Sequence, residues 1–139
     1  TRTHMKLRVP GINVQWPWSE LLVSKKERIE TRRYPLPDRL KGQWIAIIET
    51  PGRTGKKAGI DRARVIGLIK FNRCKQYLSL TEWLKDQQLH LVSEDDPLFA
   101  FKEDEPKYVW IVSDVRRIPA QPAPSPRGIV YSKPFDVIV

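Results

Sequence analysis

Apolar positions along this chain recur with two different periods. After Pro17, Trp18, Leu21 and Leu22 fall at i, i+3 and i+4, which predicts a helix that opens at Pro17 and ends near Lys25 or Lys26. "SLTEWLKDQQ" (79–88) predicts a second helix, with Ser79 or Thr81 as N-cap and Leu80, Trp83 and Leu84 turned inward. Between and around these lie segments of strand character. "LRVPGINVQ" (7–15) reads as an extended entry, and "RIETRRY" (28–34) alternates and carries β-branched residues until Pro35 and Pro37 stop it. "QWIAIIET" (43–50) is a strongly apolar strand, "RARVIGLIKFNRC" (62–74) a long one, and "KYVWIVSDVRRI" (107–118) another. "GRTGKKAG" (52–59) reads as a basic, flexible loop, "PAQPAPSPRG" (119–128) as a stiff proline-rich connector, and "IVYSKPFDVIV" (129–139) as an edge strand or tail. Few helices and well-separated strands predict an α+β domain: a small, mostly antiparallel β-barrel or bent sheet with two flanking helices.

Length agrees with a single domain over residues 5–139. "TRTHM" ends in the His-Met pair of a common cloning site, so residues 1–4 are expected to be an expression-tag remnant. The longest apolar runs, "WIAII" and "VWIV", fall far short of the roughly 20 residues a bilayer crossing needs, so no membrane partner is expected. The one cysteine, Cys74, permits no internal disulfide and fits a reducing, cytoplasmic setting.

Charge changes the picture more. The formal net charge is +9, and it is segregated. Residues 52–73 carry seven basic side chains against Asp61 alone, residues 25–33 carry five against Glu27 and Glu30, and residues 94–105 carry six acidic ones against Lys102. A basic surface of this kind suits a polyanion, with RNA or single-stranded nucleic acid the expected partner. Catalytic and metal-binding patterns fail on inspection. "TPGRTGKK" has Thr50 at the first glycine position of a phosphate loop and Lys57 at its final Ser/Thr position, though Lys56 and Lys57 can still meet phosphate electrostatically. His90 and Cys74 are too few donors for a zinc site, and no cofactor is expected. "SEDDP" (93–97) reads as an acidic cap, and Ser93 with His90 lacks the nucleophile-elbow context of a hydrolase.

"WPWSELLVS", "KKERIETRRY", "QWIAIIET", "ARVIGLI" and "VWIVSDVRRI", in that order over about residues 7–118, resemble the ASCH domain (activating signal cointegrator homology) of the PUA-like superfamily. Pro17 and Trp18 match the family's Pro-Trp pair, and Glu30 and Arg32 match the Glu and Arg of its GxKxxExR motif. Lys25 stands at the glycine position, Glu27 at the lysine position, and Arg28 where threonine is common. Small ASCH amidohydrolases use that lysine and threonine for chemistry, so amidohydrolase activity is not expected here. The resemblance implies that the face carrying Glu30, Arg32 and Tyr34 lines a cleft between the first helix and the barrel. A carboxylate there accepts from a base's amino group, and a guanidinium forks to phosphate or stacks. Trp16 is the stacking candidate, whereas Trp18, Trp44, Trp83 and Trp110 read as packing. The nucleic-acid-binding set is thus Trp16, Lys26, Glu30, Arg32, Tyr34, Lys56 and Lys57, with no catalytic residue. The alternatives are a hydrolase acting on RNA or a modified nucleoside, and then a protein-interaction adaptor motivated by the acidic segment and the prolines.

Overall fold

A computed structural model describes residues 5–26, 28–97, 99–124 and 131–139. The elements run in the order β1 (Lys6–Gln15), α1 (Trp18–Val23), β2 (Ile29–Arg32), a 3-10 turn (Asp38–Leu40), β3 (Ile45–Thr50), α2 (Gly52–Lys57), β4 (Arg64–Tyr77), α3 (Leu80–Lys85), α4 (Gln87–His90), β5 (Lys107–Pro122) and β6 (Tyr131–Ile138). One six-stranded sheet, ordered β2-β5-β4-β3-β1-β6, holds all the described strands. Every neighbouring pair is antiparallel except β1 with β3, which run parallel with Gly11 opposite Ala46 and Gln15 opposite Thr50.

The apolar run of β3 explains its central place. Ile45 and Ile47 enter one core with Ile12 and Val14 of β1, Leu22 and Val23 of α1, Phe71 of β4 and Trp110 of β5. Ala46 and Ile48 enter a second core on the opposite face with Val9, Val65, Leu68, Ile118 and Val137. A strand covered on both faces has no place for a polar alternation, which is why this one reads as continuous hydrophobicity. Helix α1 reaches the sheet over Gly67, where an added Cβ would lie 2.8 Å from the Arg116 carbonyl oxygen and 2.9 Å from Val23 Cγ2. Any larger residue would therefore push α1 off the sheet.

Strong curl makes the sheet barrel-like although its edge strands do not pair with each other. Edge strand β2 meets β1 through a side chain, with an Arg32 Nη donating to the Asn13 carbonyl oxygen at 2.6 Å. The far end of β5 meets β6 in the same way, since the Gln121 amide donates to the Ile138 carbonyl oxygen and accepts from the Ile138 N–H.

Several elements differ from the sequence reading. Residues 52–57 form α2 rather than a flexible loop, and four short helices stand where two were expected. Two glycines among its six residues give α2 little intrinsic helicity. Tertiary packing supplies the rest: Gly55 is buried with Pro51 and Trp16 close against it, and its carbonyl oxygen accepts from Ile60 N–H. The predicted helix at 79–88 is two helices broken at Asp86, whose carboxylate accepts from Tyr77 Oη at 2.7 Å. Ser79 is the N-cap, its Oγ accepting from Glu82 N–H, while the Glu82 carboxylate accepts from Leu78 N–H. This is the reciprocal logic of a capping box. The β5 strand runs on through Pro122 and absorbs the start of the proline-rich connector. Residues 125–128 of that connector and 129–130 of the closing segment, like Glu27, lie outside the described residues.

Candidate functional site

Where β1 and β2 face each other across the seam that Arg32 spans, there is a cavity of about 230 Å³. The end of β1 contributes Asn13, Val14 and Gln15, and β2 contributes Glu30, Thr31 and Arg32. Trp18 at the head of α1, Thr50 at the end of β3, and Val92 and Phe99 from the segment before β5 complete the wall. This volume lies below the roughly 300 Å³ at which drug-sized sites begin, so it suits a single ring system.

Glu30 is the chemical centre of this cavity. Only 7% of its surface is exposed. Its Oε1 accepts from the Thr31 backbone N–H at 3.1 Å and lies 3.9 Å from Arg32 Nε. Its Oε2 is buried and has no hydrogen-bond partner, and the same holds for the indole N–H of Trp18. Burial raises the Glu30 pKa above the ordinary carboxylate range, while Arg32, the Thr31 N–H and Lys107 pull against that rise. Trp18 packs edge-to-face on Phe99, with ring centroids 4.6 Å apart. One wall of the cavity is therefore aromatic.

Arg32 serves the architecture as well as the cavity. One terminal nitrogen donates to Tyr34 Oη at 3.1 Å and the other to Asn13 O, while the guanidinium carbon sits 5.9 Å from the Trp110 ring centroid. Tyr34 packs edge-to-face on Trp110, and its carbonyl oxygen accepts from the Trp110 indole N–H. Of the residues singled out from sequence, Glu30 and Arg32 line the cavity, and Tyr34 stands behind them holding the arginine. Trp16 does not line it. This half-buried residue joins Pro17 through a cis peptide, lies beside Gly55 of α2, and donates its N–H to Thr50 O. Lys26 is exposed on the turn after α1, and Lys56 and Lys57 are exposed on the last turn of α2; none of the three lines the cavity. Trp18, expected in the core, is half-buried and forms a cavity wall.

A second, wider groove of about 1070 Å³ shares Asn13 and Thr50 with the first cavity. Arg62 and Arg64 line it, together with Asp61 and residues 120–124. Arg64 is about half exposed and also pairs with Glu49, Nε to Oε1 at 3.0 Å. Glu49 is 1% exposed, and its other oxygen accepts from Ser19 Oγ at 2.7 Å. Sequence reasoning did not single out Glu49, because a lone carboxylate at the end of an apolar strand looks like a solvent-facing stop.

His90 is structural. Its Nδ1 accepts from Val92 N–H, so Nε2 carries the proton and donates to Trp83 O, and the ring stacks on Trp83 at 4.4 Å. Burial lowers its pKa, which favours this neutral form. No group of three or more potential metal-ligating side chains occurs among the described residues, nor any helix long and apolar enough to cross a membrane.

No family model and no curated protein sequence matches the chain. Solved structures do. The crystal structure of ASCH from Zymomonas mobilis is 24% identical, with 81% of this chain and 71% of that one covered and a TM-score of 0.62. Two substituted forms of the same Zymomonas mobilis protein match at 25% identity, 80% and 71% coverage and TM-score 0.61, and at 23% identity, 82% and 75% coverage and TM-score 0.62. Over about four-fifths of its length this chain therefore has the fold of the ASCH domain.

Proposed function

We propose that this ASCH-type domain binds single-stranded nucleic acid, RNA in the first instance, with one base in the cavity between β1 and β2 and the adjoining backbone in the Arg62–Arg64 groove. The observation that carries this reading is the adjacency of the two spaces. A small cavity with an aromatic wall and a buried carboxylate lies beside a larger groove whose charged lining is Arg62, Arg64 and Asp61, and Asn13 and Thr50 border both. A base needs the first environment and a phosphodiester needs the second. The net charge of +9 supplies long-range attraction to such a polyanion. Lys56 and Lys57, exposed on α2 directly after Thr50, add positive potential near the junction of the two spaces without lining either.

Binding of a fluorescein-labelled single-stranded RNA, followed by anisotropy across a salt series, tests the reading. Each phosphate neutralised contributes about −0.7 to the slope of log affinity against log salt. Arg62→Glu is expected to flatten that slope, and Lys56→Glu with Lys57→Glu to flatten it less. A salt-independent affinity, or no binding at low salt, overturns the proposal.

A further inference from the structure

Glu30 and Trp18 line the same small cavity, and each holds one buried polar atom that no protein group satisfies. The two atoms are opposite in sense: Glu30 Oε2 is an acceptor and Trp18 Nε1–H is a donor. Buried polar atoms are satisfied in most folded proteins, so two orphans on residues that line one cavity mark a place where something else completes the bonding. Charge narrows what that is. Arg32 lies beside the Glu30 carboxylate and balances it, so the cavity favours a neutral group over a phosphate or a cation. The aromatic wall of Trp18 and Phe99 favours a flat group.

Resting on the reading above, we infer that the Glu30–Trp18 pair reads the edge of a base that carries an exocyclic amino group beside a ring-nitrogen acceptor, the edge shared by cytosine and adenine. The amino N–H donates to Glu30 Oε2, and the ring nitrogen accepts from the Trp18 indole. Glu30 Oε1 is already held by Thr31 N–H and so fixes the direction in which Oε2 accepts. Uracil fits poorly. Its single ring N–H lies between two carbonyl oxygens, so donation to Oε2 turns the second carbonyl toward the carboxylate, and like partial charges meet.

Titrating the protein with each of the four ribonucleoside 5′-monophosphates, read by tryptophan fluorescence and calorimetry, tests this. CMP and AMP are expected to bind about tenfold or more tightly than UMP, the scale of one base-edge contact. Glu30→Gln presents both a donor and an acceptor, so it is expected to bring the CMP-to-UMP ratio close to one. Trp18→Phe keeps the aromatic wall but lacks the N–H, and is expected to weaken CMP and AMP several-fold while leaving UMP nearly unchanged. Circular dichroism and melting of both variants establish that they fold. Equal affinity for CMP and UMP in the unsubstituted protein overturns the inference, as does an unchanged ratio in Glu30→Gln. A cavity that holds only water, read as no response to any monophosphate, overturns it too. Oligo(rC) and oligo(rU) measured in parallel separate the two levels of argument. Salt-dependent binding of both with no base preference leaves the single-strand reading standing and removes this one, whereas binding of neither removes both.

Discussion

Two buried carboxylates in one sheet meet very different ends. Glu49 on β3 is 1% exposed and uses both oxygens, one for Ser19 Oγ and one for Arg64 Nε. Glu30 on β2 is 7% exposed, yet only Oε1 is engaged and Oε2 has no partner. Glu49 lies on a strand flanked on both sides, where α1 and β4 deliver a hydroxyl and a guanidinium to it. Glu30 lies on an edge strand at the seam with β1, where the neighbouring space is a cavity. Burial alone therefore does not mark a site. Unused hydrogen-bonding capacity in a buried group that also lines a cavity does, because folding has left a desolvation cost that a ligand can offset.

The largest effect is expected from stranding Glu49. Arg64→Ala removes its charged partner while the carboxylate stays buried, and chemical denaturation should show a loss of about 3 kcal/mol. A loss below about 1 kcal/mol would mean that Glu49 relaxes toward solvent, and the contrast with Glu30 would weaken. Next comes Arg32→Ala, which opens the β1–β2 seam and leaves the buried Glu30 carboxylate without its counter-charge; a loss of about 2 to 3 kcal/mol is expected together with weaker RNA binding. Loss of RNA binding at unchanged stability would instead assign Arg32 to the ligand. Ser19→Ala leaves Glu49 Oε2 without its donor, so a cost of about 1 to 2 kcal/mol is expected by the same measurement.

Glu30→Gln should move stability least at neutral pH, by about 1 kcal/mol or less and in the stabilising direction, since it removes a charge that burial disfavours. Its pH dependence sharpens the comparison. The folded-state pKa of Glu30 is raised, so the native protein binds the proton more tightly than the unfolded chain. Glu30 thus gives stability back as pH falls through its raised pKa toward about 4.3. Glu30→Gln cannot do this, and its advantage over the unsubstituted protein should shrink across that window. His90 acts in the opposite sense. Its folded pKa is lowered, so its contribution is complete above the unfolded value of about 6.5 and is lost as pH falls below it. Denaturation profiles of both proteins between neutral and acidic pH separate the two, because the His90 contribution is common to them and cancels in the difference.

Part of the candidate site was legible before any coordinates. Two-residue periodicity places Glu30 and Arg32 on one strand face, and both do line the cavity. The aromatic assignment came out differently: Trp18, not Trp16, forms the wall, because Trp16 is held beside α2 and its backbone is tied to Thr50. Lys26, Lys56 and Lys57 stood out as a charge pattern, but a charge pattern carries no direction, and the arginines that border the groove are Arg62 and Arg64.

Local patterning by itself determined most of the elements, since strand and helix periodicity, the Ser79 cap and the proline stops act over a few residues and need no partner. It also determined the charge segregation, a property of composition along the chain. Tertiary structure decided everything that depends on residues far apart in sequence. Helix α2 exists because Gly55 packs against Pro51 and Trp16, in spite of weak local propensity. The cavity exists because the sheet curls until Arg32 reaches Asn13, 19 residues earlier in the chain. The different ends of Glu30 and Glu49 have the same origin: a carboxylate's own sequence neighbours do not specify which donors the fold will bring to it, and only the packed sheet satisfies one and leaves the other an open acceptor.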